Sequence, residues 1–498
     1  MDTVAGKRKS GGCPRVRVKT ALLVFLLLPA VGFCGCTNDD KGLSGIRETR
    51  SDDVITASEA TSFSSPVEPN SDCPEDEDEF GNETTPEGGD GYGSISGMVR
   101  VRAQKVMAVM RDALSGVPEQ IRQLPLLLGY FPGLKRTQEE IPESRQFPCP
   151  LESGARSPKN PTSVHRLRPG DIRVVGAIGD SISAANGAMA SSEDGLGLNF
   201  RGVSATGGGQ ATWRQYLTLP NILKVFNPNL KGFAKKSVRA PMDSVSSLNL
   251  AQNGALDEEL LGQAKLLVRK IKADHSINFR KDWKLVNVLI GGNDICNEYC
   301  FIESDKDSPE GHRRQLELTL DFLKANLPRT FINLIHVPNI VHLRNMKSIP
   351  VRCYIRRMIF CSCLFGGADK GKADSVAKMV QGYWEMERKV ASLPKYETDE
   401  FAVVLQPFFD GLIPPPLVET LFGTSPDLSY FAPDCFHFSQ KGNAHMANAL
   451  WNNMLEPTGN KSTPVEHNLL STFHCPTKEA PYFFTRKNSL NFLRSGHQ

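Results

Sequence analysis

The 498-residue sequence has few long apolar runs; only one, the fourteen residues Ala21–Cys34, stands out from an otherwise mixed chain. That length suits the hydrophobic region of a signal peptide and falls short of the roughly 20 residues that span a bilayer core. No second such run follows, and Pro476–Gln498 is largely polar, so a C-terminal membrane anchor is not expected. The chain has no internal repeat. It has no Gly-x-Ser-x-Gly motif, so the serine elbow of the usual α/β-hydrolase layout is not expected. Gly207-Gly-Gly209 is not followed by Gly-Lys-Ser/Thr at Walker spacing, which removes a nucleotide-binding reading. The close pairs Cys296/Cys300 and Cys361/Cys363 lack a histidine at ligand spacing, so no zinc or other metal is expected.

What is present is unevenly distributed. The formal charge of +3 averages three unlike segments. Residues 1–37 carry +5, with Lys7, Arg8, Lys9, Arg15, Arg17 and Lys19 ahead of the apolar run. They read as a signal peptide with small residues Ala30, Gly32 and Gly35 near a cleavage point, the alternative being an uncleaved signal-anchor. Either way the protein is expected in the secretory pathway, secreted or luminal, or membrane-tethered if the segment stays. Residues 38–97 carry −13 and are rich in Ser, Thr, Pro and Gly, with an acidic cluster at 75–79. Such a stretch buries too little apolar area to offset chain entropy and reads as a disordered acidic linker. Asn82-Glu-Thr84 and Asn460-Lys-Ser462 are glycosylation sequons. Val106, Met110 and Leu114 predict a short amphipathic helix within a lead-in at 98–146. Residues 479–498 read as a polar tail.

The remaining segment, 98–498, is basic at +11. Its cations are scattered, and with the secretory signal this argues against nucleic acid as a partner. The same charge fits attraction to an anionic lipid surface, or simply a solvated exterior. Apart from Cys13, Cys34, Cys36 and Cys73, eight cysteines remain: 149, 296, 300, 353, 361, 363, 435 and 475. An even number in an oxidising compartment predicts disulfides, in any of 105 pairings.

Ile172–Ile178, Lys284–Ile290, Phe331–Val337 and Phe401–Gln406 are short, nearly continuous apolar runs. Helical patterns near 256–273, 311–325, 373–393 and 440–454 alternate with them. Strand and helix in alternation predict an α/β fold, a mostly parallel sheet with helices on both faces. In such sheets the loops at the carboxyl ends of the strands build the site, and two polar glycine turns fall there.

A hydrolytic serine needs a tight turn, a base to take its proton, a carboxylate to orient the base, and donors for the oxyanion. Gly179-Asp-Ser181 follows the first run, with Asp180 expected to fix the turn. Asp434-Cys-Phe-His437 places carboxylate and imidazole three residues apart, a spacing that shares one face of a helical turn. Gly292-Asn293 follows the second run and offers a side-chain amide. His342 and His445 are expected to be structural or exposed. Taken singly these motifs are common; their order, and the strands before two of them, favour a hydrolytic serine.

Gly179-Asp-Ser181, Asn249-x-Ala-x-x-Gly254-Ala, Gly291-Gly-Asn293-Asp and Asp434-x-Phe-His437 resemble the four blocks of the SGNH, or GDSL-type, hydrolases. Phe147-Pro-Cys-Pro150, Pro161–Pro169, Thr218–Leu223, Phe226–Phe233, Ile290–Cys296, Ala432–Ser439 and Ala449–Pro457 resemble the animal-type phospholipase B subgroup. The resemblance covers roughly 147–478, in order, and marks those residues as a catalytic domain. It implies a three-layer α/β/α SGNH-hydrolase fold and hydrolysis of glycerophospholipids and lysophospholipids at a membrane or micelle surface, without metal or cofactor. It implies Ser181 as nucleophile, His437 as base and Asp434 as orienting acid. The oxyanion hole would comprise the N–H groups of Ser181 and Gly254 and the Asn293 amide; Gly254 enters through the resemblance alone. Ile182 stands where leucine is commoner. Between Val203 and Gln215 the glycine-rich loop departs from the family's pattern, with Ala205 and Trp213 in unexpected places, which bears on substrate preference. Two rivals remain: an esterase for retinyl, short-chain or carbohydrate esters, and a catalytically silent lipid-binding protein.

Overall fold

The four apolar runs become the strands of one parallel sheet: β1 (Ile172–Gly179), β2 (Trp283–Leu289), β3 (Thr330–Ile335) and β4 (Phe401–Gln406), in that spatial order. The structure, a computed structural model, describes residues 134–236, 247–300, 308–366, 371–411, 415–420, 423–463 and 465–495. All of them lie in the second of two units, Val101–Gln498. The signal segment, the acidic linker, Asn82 and the helix expected at Val106–Leu114 fall outside the described residues. In register, Gly179 lies opposite Leu289, and Ile335 opposite Gln406. Beyond β1, Val174 and Ala177 make isolated parallel bridges to Lys231 and Asn249, so two short extended segments border that edge.

Among the described residues the helices of eight or more residues are α1 (Leu219–Phe226), α2 (Leu260–Ala273), α3 (Pro309–Asn326), α4 (Val351–Phe360), α5 (Gly371–Ser392), α6 (Gln440–Met454) and α7 (Arg486–Arg494). Alternate strand residues sort onto two faces. Val175, Leu285, Phe331 and Val404 pack with Ile222 and Leu223 of α1 and Leu450 and Trp451 of α6. Val174, Val286, Ile332 and Val403 pack with Leu267 and Ile271 of α2 and Leu320 and Leu323 of α3. The fold is thus a three-layer α/β/α sandwich, and burial on both faces is why the strands read as continuous apolar runs. Thr218, Ser308, Ser439 and Thr485 cap α1, α3, α6 and α7, each accepting from a backbone N–H in the first turn. Each cap contributes about 1 kcal/mol.

All eight cysteines of the folded segment are paired. Cys296–Cys361 and Cys300–Cys363 fasten the turn after β2 to the end of α4, and Cys353–Cys435 ties α4 to the loop that carries His437. Cys149–Cys475 joins residues 326 positions apart; long closed loops are where cross-links restrict the unfolded chain most.

Both flanks of the domain are tied into the fold. From Leu134 to Gln146 the described part of the lead-in is irregular and is held by Gln138, whose Oε1 accepts from Leu217 N at 2.7 Å and whose Nε2 donates to Arg214 O at 3.0 Å. The stretch read as a polar tail is packed as well. Phe483 and Phe484 are buried, and their N–H groups donate to Leu167 O and Met454 O at 2.9 Å each before α7 begins. The two phenylalanines are buried there together with Ala480, Thr485, Asn488 and Ser489.

Candidate active site

β1 ends in a turn that only glycine fits. Gly179 has φ +144°, and a Cβ there would stand 1.9 Å from Leu289 O on the neighbouring strand. Gln263 of α2 braces both peptides of this residue, accepting from Gly179 N at 2.7 Å and donating to Gly179 O at 2.9 Å. Asp180 N then donates to Leu289 O, and the Asp180 carboxylate accepts from Ile182 N at 2.9 Å. Burial pushes the Asp180 carboxyl up to about 6; the Asp257 charge adds to this, while the Ile182 N–H and His437 oppose it. The turn delivers Ser181 to the carboxyl end of β1. Gly179→Ala is expected to cost about 3 kcal/mol or more and to lower the thermal midpoint by roughly 5 °C or more, read by calorimetry.

Ser181 Oγ lies 2.8 Å from His437 Nε2, and His437 Nδ1 lies 2.6 Å from Asp434 Oδ2. All three residues are buried. The Asp434–His437 pair does not share a helical turn, as its spacing suggested. It sits in a tight loop closed by the Phe431–Phe438 bridge, with Cys435 at φ +59°. Asp434 Oδ1 accepts from the N–H groups of both Phe436 and His437 at 3.0 Å, and this local capping replaces helix geometry. Ser439 opens α6 only beyond the loop. Arg357 of α4, wholly buried, donates to Cys435 O at 2.9 Å and secures the loop from outside. Phe360 and Phe436 stack on each other, and their rings stand edge-on to His437 at 5.1 and 5.2 Å.

Two further loops meet the Ser181 turn. Leu250 N donates to Ala177 O and Gln252 N to Gly179 O, so the segment leading to Gly254 runs beside the end of β1. Gly254 has φ +72°. Asn293 follows β2 and opens a short π-helical turn, Asp294–Glu298. Its Nδ2 donates one hydrogen to Ala255 O at 3.0 Å and retains a second. Among the described residues nothing accepts from the N–H of Ser181 or Gly254. The arrangement offers a hydroxyl, an imidazole in contact with it, a carboxylate behind, and unspent N–H donors on neighbouring loops.

Other candidates resolve differently. The N–H groups of Gly207, Gly208 and Gly209 donate to Ser204 Oγ, Ser204 O and Ala234 O, leaving no cradle for a phosphate. Trp213 is buried, edge-on to Phe147 at 5.2 Å, and supports the lead-in. His445 is buried, with Nδ1 2.7 Å from Glu466 O, and His342 contacts Asn339. Among the described residues no group of three or more His, Cys, Asp or Glu could hold a metal ion. Gln263, Arg357 and Phe360 escaped the sequence reading; each acts across the fold, and no local pattern announces it.

The family model described as GDSL-like Lipase/Acylhydrolase matches residues 175–450. Mouse "Phospholipase B1, membrane-associated" is 40% identical over 363 residues, covering 71% of this chain and 24% of the mouse protein. The human protein of the same name is 38% identical over 348 residues, covering 68% and 23%. The chain therefore spans about a quarter of the length of the curated relatives it matches. A solved structure, an extracellular lipase from Streptomyces rimosus, aligns over 55% of this chain and 95% of its own at 14% identity and a TM-score of 0.28. Among the described residues no helix is long and apolar enough to cross a membrane. Because the matched span takes in more than half the chain, from within β1 to within α6, the chain belongs to the GDSL-like lipase/acylhydrolase family.

Proposed function

We propose that the chain is a serine esterase that hydrolyses acyl esters of glycerophospholipids and lysophospholipids through an acyl-enzyme on Ser181. The observation that carries this reading is the unbroken row Ser181 Oγ–His437 Nε2–Asp434. As Oγ attacks the acyl carbonyl, Nε2 takes its proton; Asp434 Oδ2 holds Nδ1–H and so selects the tautomer with a free Nε2 lone pair. The tetrahedral oxyanion accepts from the N–H groups of Ser181 and Gly254 and from the second Nδ2 hydrogen of Asn293. His437 returns the proton to the departing glyceryl oxygen as the ester C–O bond breaks. Water, deprotonated by the same Nε2, then attacks the acyl-enzyme and releases the fatty acid.

The names of the mouse and human relatives support the phospholipid class. The Phe360 and Phe436 rings beside His437 suit an acyl chain approaching Ser181 from that side. We place catalysis in residues 147–478, with residues 1–37 as signal peptide or signal-anchor, 38–97 as acidic linker and 98–146 as lead-in. The packing of Phe483 and Phe484 adds 479–495 to the same body. Four disulfides accord with a secreted or luminal location, and with a tethered one if the leader stays uncleaved.

The test is fatty-acid release by the full chain, made through a secretory route, from phosphatidylcholine, lysophosphatidylcholine, retinyl ester and a short-chain ester. Release from both phospholipids supports the reading. Release from the other esters alone overturns the substrate class, and no release from any overturns the esterase. Asn293→Ala is expected to lower kcat about 10²–10³-fold with KM little changed, measured by steady-state kinetics on lysophosphatidylcholine.

A further inference from the structure

We propose that His312 is a positioning residue for the oxyanion pocket, acting through Asp257 on the two loops that carry Gly254 and Asn293. The inference rests on the reading of those two residues as oxyanion donors. His312 lies in the first turn of α3, distant in sequence from all four motif blocks, and is completely buried. Its Nδ1 is 2.8 Å from Asp257 Oδ2, and its Nε2 faces Glu387 Oε1 of α5 at 3.4 Å. The Tyr383 ring stacks on the imidazole at 4.1 Å and fixes its plane.

Asp257 is the point at which this contact reaches the site. It lies three residues after Gly254, and its N–H donates to both oxygens of the Asp294 carboxylate at 3.2 and 3.3 Å. In the opposite direction Asn293 Nδ2 donates to Ala255 O at 3.0 Å. Segment 254–257 is therefore joined to 293–294 by hydrogen bonds running both ways, and the pair is anchored to the helical layer through His312. The chain of contacts continues outward: Glu387 Oε2 faces His336 Nε2 at 3.7 Å, His336 Nδ1 contacts the Asp410 carboxylate, and Asp410 pairs with Arg388 at 2.8 Å.

The charges explain why a histidine stands there. Asp257, Asp294, Glu387 and the neighbouring Asp180 are all buried acids. Burial pulls the His312 imidazole down, yet the charge and hydrogen bond of Asp257 and those of Glu387 carry it up to about 10. Burial, with the Asp257 charge, holds the Asp294 carboxyl well above its ordinary range, so the imidazolium balances chiefly Asp257 and Glu387. Neither α3 nor α5 supplies a group to the reacting centre, so the link has no part in the proton transfers. It sets the spacing between two donors, and ångström-scale errors in such spacing reduce rates by about 10²-fold.

His312→Gln keeps a hydrogen-bonding side chain and removes the cation. With the full chain and lysophosphatidylcholine, it is expected to lower kcat about 10–100-fold with KM within about twofold of wild type. Leu320→Ala, a cavity in the same helix away from the loops, is expected to lower the thermal midpoint at least as far while keeping kcat within about twofold. Asp257→Asn should reproduce the kcat loss, and the double variant should lose little more than either single one. Wild-type kcat in His312→Gln overturns the proposal, as does an equal kcat loss in Leu320→Ala or full additivity in the double variant. If His312→Gln folds too poorly to assay, Asp257→Asn decides, and wild-type kcat there overturns it. An inactive wild type, or an unaffected Asn293→Ala, overturns the underlying reading instead, and those outcomes are separable from the others.

Discussion

Ser181→Ala is expected to reduce kcat on lysophosphatidylcholine by about five to six orders of magnitude and to leave the protein folded. The hydroxyl removed has one side-chain partner, His437 Nε2 at 2.8 Å, and the residue occupies a turn already fixed by Gly179, Gln263 and the Asp180 carboxylate. Nothing in that turn depends on Oγ. The thermal midpoint should therefore stay within about 4 °C of wild type, since the one buried hydrogen bond lost contributes a net of about 0.5–1.5 kcal/mol. The remaining activity, about 10³-fold over water, would come from the oxyanion donors and from binding. The check is mass-spectrometric release of fatty acid by purified wild type and variant at equal concentration, with a thermal melt of each. Equal release would sink the acyl-enzyme, and a collapsed melt would assign the loss to folding instead.

The features legible in the sequence are those in which one residue's neighbours along the chain decide its environment. The β1 run was legible because parallel strands covered on both faces need no polar alternation, and Gly179 was legible because a strand that ends in Gly-Asp-Ser must turn sharply. Ser181, His437, Asp434 and Asn293 each stand in a short motif, and the structure brings them to one end of the sheet. Three things were not legible. The disulfide map depends on α4 lying between the β2 turn and the His437 loop, and spacing does not report that packing. The Asp434 loop is not helical because its own carboxylate caps two N–H groups, an outcome that competes with a helical turn at the same spacing. His312 and Asp257 are 55 residues apart on different elements, and only the folded helical layer places an imidazole against that carboxylate. The general distinction is between chemistry carried by a motif and chemistry carried by the support around it.

Asp434 separates those two kinds of contribution, because one carboxylate does both jobs. Oδ2 holds His437 Nδ1, while Oδ1 holds the Phe436 and His437 N–H groups that shape the loop. In Asp434→Asn the amide has two orientations. With its oxygen kept on the two backbone N–H groups, its NH₂ faces Nδ1. The imidazole must then accept at Nδ1 and carry its hydrogen on Nε2, so Nε2 cannot take the Ser181 proton. The flipped orientation restores the tautomer but turns an NH₂ donor toward two N–H donors in a site with no exposed surface, at a cost of roughly 1–3 kcal/mol for each group left unsatisfied. The first orientation wins, the loop keeps its shape, and kcat is expected to fall about 10⁴-fold with little change in the melt. Asp434→Ala removes both functions. It should show a similar fall in kcat together with a lower thermal midpoint, by the equivalent of about 1–2 kcal/mol for the lost cap. Steady-state kinetics on lysophosphatidylcholine, paired with calorimetry of both variants, resolves the two roles. If Asp434→Asn retains kcat within about tenfold of wild type, Asp434 shapes the loop and does not orient the base.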